Sequence, residues 1–405
     1  MYRTNRLPEI VKTLLNNASL PEWPSGHGRI RGSTRTRPSC CYDGVVIRFA
    51  VVLALFVGVF ASVRPSAAAQ AAPIQVKVVV VAMFELGADT GDRPGEFQHW
   101  VDGAKLDRVL PFPQGYRDLR MNDSGVLGVV TGVGTARAAA TIMALGLDPR
   151  FDLSKAYWVV AGIAGIDTEE ASLGSAAWAE WIVDGDLGHE IDAREIPAGW
   201  KTGMVPLRKS VPYEQPKEIG DSAEVFRLDP GLVEWAYQLT KDVRLTESEQ
   251  MKAERALYPG EVARRPPFVL KGDTMSAGTF WIGAKLTEWA NDWVAYHTGG
   301  QGRYVTSAME DTGTLQSLTW LSRAGRVDVR RVLVLRAGSD HDLPPPGRTA
   351  ADQLARTKIG QYAAFLPALD SAYRVGSVVV DRLLADWATC RDTPPSAPEV
   401  KPARK

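Results

Sequence analysis

Cysteine and histidine are scarce in this sequence, and neither is arranged for cross-linking or metal binding. The 405 residues include three cysteines and five histidines. Cys40 and Cys41 lie in a polar N-terminal segment, so Cys390 stands alone in the body of the chain. One cysteine cannot form an intrachain disulfide, and no Cys/His cluster has the spacing of a zinc site. We therefore expect no disulfide framework, no metal site and no cofactor.

An excess of either charge is also missing. Lys+Arg and Asp+Glu each number 47, so the formal net charge is +0. Nucleic-acid-binding proteins normally have a surface patch rich in Lys and Arg, so the balanced composition predicts no nucleic acid partner. The 45% hydrophobic and 23% charged residues are typical of a globular protein long enough for one large domain or two small ones.

Beyond residue 72 the sequence has no apolar run long enough to span a membrane. The one apolar run, residues 49–63, follows Arg48 and precedes an alanine-rich segment, which is typical of a secretory signal peptide. We interpret residues 45–71 as that signal and predict a periplasmic or secreted protein. Residues 1–44 are interpreted as disordered, or as lying upstream of a true start near Val45 or Val46. The alternatives are an uncleaved anchor and a genuine long n-region.

Alternating strand and helix patterns predict an α/β domain over residues 72–390. Its valine-rich first strand covers residues 75–83, and glycine turns follow later strands. Residues of about 187–262 are interpreted as an insertion with a helix near residues 231–240. This insertion forms either a lid or a solvated excursion. Two amphipathic helices, over residues 361–369 and 371–387, are expected to pack in an outer layer. The proline-rich residues 391–405 are predicted to be a disordered tail.

The segment Arg331–Asp342 is the most informative. Four apolar residues lead into Gly338-Ser339-Asp340, which predicts a buried parallel strand followed by a turn. Ligands bind at the carboxyl edge of open α/β sheets. A carboxylate fixed there among apolar neighbours has a raised pKa and can transfer a proton. Asp340 is therefore the leading candidate for chemistry.

Two motifs in this order resemble the nucleoside phosphorylase and nucleosidase superfamily. They are the strand that ends in Met309-Glu310 and the later strand that ends in Arg-Ala-x-Ser-Asp at Ser339-Asp340. The chain looks most like the branch named purine nucleoside permeases, over roughly residues 76–387. The resemblance implies a three-layer α/β/α, phosphorylase/hydrolase-like fold with a central mixed β-sheet. It also implies a purine nucleoside ligand, a ribose site at Met309 and Glu310, and proton donation to the base by Asp340 beside Ser339.

The same resemblance assigns further residues to the site. Glu85, after the first strand, would hold the attacking water, and Arg93 corresponds loosely to a phosphate-binding arginine. Phe280 and Trp281 would contact the base. Glycine turns that line the site are expected at Gly132, Gly134, Gly162 and Gly165. A surface turn would also explain Glu85 and Arg93, and core packing would also explain the two aromatic residues.

One departure from the family bears on the nucleophile. Where the phosphorylases have an arginine and a serine for phosphate, this sequence has Val160 and Ile163. Burying phosphate without donors is costly, so water is favoured over phosphate. We therefore predict an exported purine nucleosidase. The alternatives are a non-catalytic binding component of nucleoside transport and a purine nucleoside phosphorylase. Whether subunits pair, as in many members of the superfamily, stays open.

Overall fold

The valine run near the start of the domain forms a strand that is buried on both faces, as parallel strands of α/β proteins are. The computed structural model describes residues 72–214, 224–356 and 362–397. The predicted signal peptide, the segment before it and the last residues of the tail lie outside these described residues. These described residues belong to one compact unit.

The strands of the described chain, numbered in order, are β1 Ile74–Gln75, β2 Val78–Ala82, β3 Arg108–Leu110, β4 Leu119–Met121, β5 Val126–Val130, β6 Phe151–Asp152, β7 Tyr157–Ile166, β8 Ala176–Ala179, β9 Trp181–Asp184, β10 Gly188–Glu190, β11 Met204–Pro206, β12 Val225–Arg227, β13 Val269–Lys271, β14 Asp273–Ser276, β15 Tyr304–Ala308 and β16 Val332–His341. The helices are α1 Gln98–Gly103, α2 Thr135–Leu147, α3 Pro230–Thr240, α4 Glu249–Arg255, α5 Glu261–Arg264, α6 Ala284–His297, α7 Asp311–Arg323, α8 Ala350–Arg356, α9 Phe365–Ala385 and α10 Trp387–Cys390, with a 3-10 turn at Val329–Arg331.

Twelve of these strands form one mixed sheet in the order β12-β9-β14-β15-β7-β2-β5-β4-β3, with β16 pairing β7 and β8, and β8 also pairing β13. Strand β16 runs parallel to β7 but antiparallel to β8. Strand β2 runs parallel to both β5 and β7. The long strands β7 and β16 therefore lie side by side at the centre, and their carboxyl ends meet at one edge.

Helices cover both faces of this sheet. On β16, Leu335 lies against Gly376 of α9, whereas the next residue, Arg336, pairs with Asp311 of α7. Consecutive side chains of a strand point to opposite faces, so α9 and α7 lie on opposite sides. Helix α2 packs beside α7, with Gly146 against Leu321. The predicted three-layer fold with a central mixed sheet is confirmed.

Two predicted turns are strand instead. Gly162 and Gly165 lie within β7, and Ser339 and Asp340 lie within β16, which continues to His341. At Gly162 a Cβ would meet the side chains of Met83 and Glu96. Glycine is therefore required there for the close approach of neighbouring groups rather than for a turn. The prediction of glycine turns was wrong for Gly162 and Gly165.

The insertion is part of the domain and not only a solvated excursion. Its predicted helix is confirmed as α3, which buries Leu232, Val233 and Ala236 in the main core. The Asp229 carboxylate caps this helix by accepting from the N–H of Leu232 at 2.9 Å. Strand β12 extends the sheet beside β9. The solvated-excursion interpretation is therefore wrong for α3 and β12, because both contribute to the folded layers.

The C-terminal helices also differ from the expectation. The sequence suggested two helices, over residues 361–369 and 371–387, but α9 is one helix from Phe365 to Ala385. Pro367 lies in its first turn, where its missing N–H would be unpaired in any case. The described part of the tail ends near α3, where the N–H of Ala397 donates to the carbonyl of Gly231 at 3.1 Å.

Candidate active site

The carboxyl end of β16 forms one wall of a pocket of about 320 Å³. A β-bulge between Gly338 and Asp340 interrupts the regular pairing with β7. In a regular strand, adjacent side chains point to opposite faces, but here Ser339, Asp340 and His341 all line the same pocket. Bulges commonly redirect side chains beside active sites. The pocket volume is at the lower end of the range for small-molecule sites.

Asp340 is a buried acid with one free oxygen. Its Oδ1 accepts a hydrogen bond from Ser339 Oγ at 2.7 Å, and its buried Oδ2 has no hydrogen-bond partner within the described chain. Burial raises the pKa of Asp340 to about 7, and the Ser339 hydrogen bond opposes this rise because it favours the carboxylate. A large fraction of Asp340 therefore carries a proton near neutral pH, and its side chain lines a ligand-sized pocket.

The other walls come from segments outside the sheet. Two helices contribute, α4 from the insertion and α8 from the loop after β16, together with the start of the segment before α9 and a loop residue before β8. The lining residues are Leu173, Gln250, Glu254, Gln353, Arg356, Tyr362 and Ala363. The insertion thus contributes Gln250 and Glu254 to the lining of the pocket at Asp340.

A second polar cluster surrounds Arg336, on the same strand as Asp340. Its guanidinium pairs with Asp311 Oδ1 at 2.5 Å and Glu310 Oε2 at 3.2 Å, and all three side chains are buried. Burial lowers the pKa of Arg336, but the carboxylates of Asp311 and Glu310 outweigh this effect and keep it charged. Burial raises the pKa of Glu310, whereas Arg336 lowers it. Asp340 lies four positions after Arg336, which is about 13 Å along a strand.

Glu310 is held by groups from three elements. Besides Arg336, the N–H of Gly134 donates to its Oε1 at 3.0 Å and the N–H of Met309 to its Oε2 at 3.3 Å. The Thr135 hydroxyl in turn donates to the carbonyl of Met309. A carboxylate has about four acceptor sites, so these three donors leave capacity for about one more. The structure therefore brings together Met309, Glu310 and the glycine turn before α2.

That turn requires glycine for its backbone conformation. Gly132 and Gly134 have φ angles of 81° and 96°, which favour glycine over other residues. Beside Gly134 a Cβ would meet no atom within 4 Å, so the space next to it is open. The turn thus presents an N–H to Glu310 without a side chain in the way.

Glu96 joins this cluster, although the sequence motifs did not indicate it. Its oxygens accept the N–H groups of Met83 at 2.7 Å and Ile163 at 2.8 Å. The carbonyl of Ile163 accepts from Arg336 at 3.2 Å, so one peptide segment links the two side chains. Burial raises the pKa of Glu96 to about 8. Arg336 opposes this rise and Glu310 adds to it.

Glu85, the residue expected to hold water, binds its own loop. Its carboxylate accepts backbone N–H groups of Leu86 at 2.8 Å, Phe97 at 3.0 Å and Gln98 at 2.7 Å, and also that of Gly95. Four donors fill about all of the acceptor sites of one carboxylate. Glu85 therefore fixes the conformation of the loop that contains Glu96.

The predicted base-contacting aromatics take different positions. Trp281 is buried in an aromatic cluster, with its ring 6.2 Å from that of Trp289 and 6.1 Å from that of Tyr304. Phe280 lies at the surface. In the part of the chain that the structure describes, neither is among the residues that line the Asp340 pocket.

The residues considered for phosphate are also separated from this pocket. Arg93 is exposed, and its guanidinium lies 5.6 Å from the ring centre of Phe365. Val160 is fully buried between β2 and β16, opposite Val81 and Val334. Ile163 offers an N–H, but that group is bonded to Glu96.

Gly165 is the second close approach on β7. A Cβ there would meet the carboxylate of Asp342 and the hydroxyl of Ser307. Asp342 is fully buried and accepts hydrogen bonds from Tyr304 and Ser307. Burial raises the pKa of Asp342 well above its ordinary value, and the Tyr304 hydrogen bond opposes this. This network fixes the segment that follows Asp340.

Sequence reasoning missed Glu96 and Arg336 as site residues. For Arg336 a signal existed, since an arginine in an otherwise apolar buried strand needs acidic partners. For Glu96 the signal was weak, because its position depends on a loop that folds back over 13 residues to reach Met83. Within the described residues, no group of three or more His, Cys, Asp or Glu side chains could hold a metal ion. In the same residues, no helix is long and apolar enough to cross a membrane.

Two solved structures of enzymes are similar to this chain. A 5′-methylthioadenosine/S-adenosylhomocysteine nucleosidase of Helicobacter pylori is 13% identical, with a TM-score of 0.46. A futalosine hydrolase of the same organism is 13% identical, with a TM-score of 0.47. Each comparison covers 76% of this chain and 99% of the other chain.

Relatives with similar sequences are named as permeases, which is a name for transport proteins. A probable purine nucleoside permease of Schizosaccharomyces pombe is 30% identical over 321 residues, which cover 77% of this chain and 90% of the relative. A purine nucleoside permease of Candida albicans is 27% identical over 318 residues, covering 77% of this chain and 76% of the relative. The family model described as purine nucleoside permease matches residues 75–394. The predicted resemblance is confirmed, and this chain belongs to the purine nucleoside permease family.

Proposed function

We propose that this protein binds purine nucleosides and hydrolyses their N-glycosidic bond. The observation that carries the proposal is the buried, unpartnered oxygen of Asp340 at the wall of a pocket. A carboxyl group there with a pKa of about 7 has the properties of a general acid near neutral pH. Family membership supports a purine nucleoside as the ligand.

Asp340 gives its proton to a ring nitrogen of the purine as the bond to the sugar breaks. The bonding electron pair leaves with the base, and the proton neutralises the charge that this pair brings. The sugar becomes cationic at its anomeric carbon, so negative charge nearby lowers the barrier. Glu310 lies next to a glycine turn with open space and has capacity for about one more donor, which suits a ribose hydroxyl.

Glu96 is the better placed candidate for activating water. It is buried beside Arg336, and with a pKa of about 8 a minor fraction of Glu96 is ionised near neutral pH, which is the form that can take up a proton. Water adds its oxygen to the anomeric carbon, and its proton passes to Glu96. Arg336 holds Glu96 and Glu310 in one cluster and limits their mutual repulsion. Glu85 supports this step indirectly by fixing the loop that carries Glu96.

The residues at the two positions that bind phosphate in the phosphorylases favour hydrolysis over phosphorolysis in this chain. Val160 offers no donor, and the N–H of Ile163 is engaged with Glu96. A buried dianion would therefore lack the donors that offset its desolvation. Water is neutral and needs fewer hydrogen-bond partners than a phosphate dianion.

A second candidate function is nucleoside capture for transport without turnover. The names of the curated relatives favour it. Such a protein would use the same pocket and ribose site but would not need an acid with a free oxygen. Export would place either activity outside the cytoplasm, and mass spectrometry of the native protein would test it. A mature chain that begins near residue 72 is expected, whereas retention of Cys40 and Cys41 would contradict the signal-peptide interpretation.

The deciding experiment is incubation of the purified protein with adenosine, guanosine and inosine, with and without phosphate. Release of free base and free ribose at the same rate in both conditions is expected. Ribose 1-phosphate as the product would instead identify a phosphorylase. Tight binding with no release of base would identify a binding protein.

A further inference from the structure

The pocket at Asp340 is closed by two helices that lie outside the central sheet. Gln250 and Glu254 of α4 line it from one side, and Gln353 and Arg356 of α8 from the other. An ion pair joins the two helices, with Arg356 Nη2 at 2.8 Å from Glu254 Oε2. These added walls, rather than β16 alone, therefore determine what can lie next to Asp340.

Several buried polar atoms in this pocket have no partner in the described chain. Besides Asp340 Oδ2, they are Gln353 Oε1 and both ring nitrogens of His341. Each of these side chains is at least nine-tenths buried and lines the pocket. Most buried polar side chains are hydrogen-bonded, because an unpaired one costs free energy. Three side chains with unpaired buried atoms around one pocket indicate a ligand with several hydrogen-bonding atoms.

The chemistry of these groups narrows the type of ligand. Burial lowers the pKa of His341 to about 3, so the ring is neutral. A neutral imidazole has one donor and one acceptor, and the amide of Gln353 has both kinds of group. None of these groups besides Asp340 carries a charge that would select an ionic ligand. A purine edge, with a ring nitrogen and an amino or oxo group beside it, matches this set.

We propose that Gln353 is a base-specificity residue, whose amide hydrogen-bonds the substituent at position 6 of the purine next to Asp340. The proposal rests on the proposed function only in taking a purine nucleoside as the ligand. Because an amide can turn to offer either its oxygen or its NH₂ group, Gln353 accepts both 6-amino and 6-oxo purines. The protein should therefore bind adenosine and inosine alike and discriminate against a purine without a substituent at position 6.

The test pairs a change in the protein with a change in the ligand. Dissociation constants are measured by calorimetry for adenosine, inosine and unsubstituted purine riboside, in an Asp340→Asn background that suppresses turnover. With Gln353 present, the two substituted nucleosides should bind about three- to tenfold more tightly than purine riboside, the value of one neutral hydrogen bond. Gln353→Met keeps the length of the side chain but removes both amide groups. It should abolish this preference and leave the affinity for purine riboside within about twofold.

Gln238→Met, on the exposed face of α3, is the matched control and should keep the preference. Gln353→Ala provides a second removal of the amide if the methionine variant does not fold. The proposal would be overturned if folded Gln353→Met or Gln353→Ala still bound adenosine and inosine more tightly than purine riboside. It would also be overturned if the protein that retains Gln353 bound all three nucleosides with equal affinity. Wild-type protein that binds but releases no base would overturn the proposed hydrolysis alone, since the affinity comparison would still stand.

Discussion

Ser339 Oγ donates a hydrogen bond of 2.7 Å to Asp340 Oδ1, and so opposes the effect of burial on this acid. The hydrogen bond favours the carboxylate and holds the pKa of Asp340 near 7, below the value that burial alone would give. The bulge at Ser339 also brings both side chains to the same pocket. One residue therefore sets both the direction and the proton affinity of the proposed acid.

Ser339→Ala should raise the pKa of Asp340, because burial then acts without the opposing hydrogen bond. A general acid works only in its protonated form, so wild-type activity is lost as pH rises through the pKa of Asp340. The ratio of kcat/KM for the alanine variant to that for wild type should therefore increase between about pH 6 and about pH 9. Ser339→Thr keeps the hydroxyl and should give a flat ratio. A flat ratio for the alanine variant would show that Ser339 does not tune the acid.

Arg336→Met should unfold the protein readily, because it leaves the buried carboxyls of Glu310 and Asp311 without their cation. Breaking a buried pair from one side costs about 3–5 kcal/mol. Arg330→Met is the matched control, since Arg330 forms a solvent-exposed pair with Asp328, and such pairs contribute little to stability. Urea unfolding of both variants measures the difference. Equal losses of stability would mean that the Arg336 cluster is not a tightly coupled buried unit.

The main strands and the Asp340 motif could be predicted because their signals are local. Apolar runs indicated β2 and β16, and the helix near residues 231–240 was predicted within the insertion. The strand residues Gly162 and Gly165 could not be told from a turn, because glycine serves both turns and close approaches. Whether a given glutamate reaches the site depends on how a loop folds back, and that is not a local property. Glu85 and Glu96 lie on the same loop and have different partners for this reason.

Gly162→Ala should destabilise the protein and displace Glu96. The added methyl group would meet the side chains of Met83 and Glu96, and overpacking of this kind costs about 1–3 kcal/mol. Gly260→Ala is the control, since the nearest atoms to a Cβ there are 3.9 Å away. The midpoint temperature of thermal unfolding and the rate of base release should both fall for Gly162→Ala. Both should stay near the wild-type values for Gly260→Ala. An unaffected Gly162→Ala variant would mean that Glu96 can move aside without consequence.

Glu96→Gln and Glu85→Gln separate catalysis from loop support. Glutamine at position 96 cannot take a proton from water, so base release should fall by ~10²–10⁴-fold with little change in affinity. Glutamine at position 85 sets an amide NH₂ against backbone donors, so it should mainly lower the free energy of unfolding, by about 1–3 kcal/mol. Burst kinetics and urea unfolding of both variants distinguish the two effects. The reverse pattern would return the water-binding role to Glu85.

Asp340→Asn tests the proposed hydrolysis most directly. Asparagine keeps the shape of the side chain and can still donate a hydrogen bond to a purine nitrogen, but it has no proton to transfer. General acid catalysis contributes ~10²–10⁴-fold, so release of base should fall by about that factor while nucleoside affinity stays nearly constant. Asp123→Asn is the control, because the Asp123 side chain is 99% exposed and remote from any buried network. It should leave both quantities unchanged.

A protein that only captures nucleosides predicts no turnover in wild type, so that affinity is the only quantity the substitution can alter. If wild type and Asp340→Asn release base at the same rate, another residue is the acid, and the free oxygen of Asp340 serves binding alone.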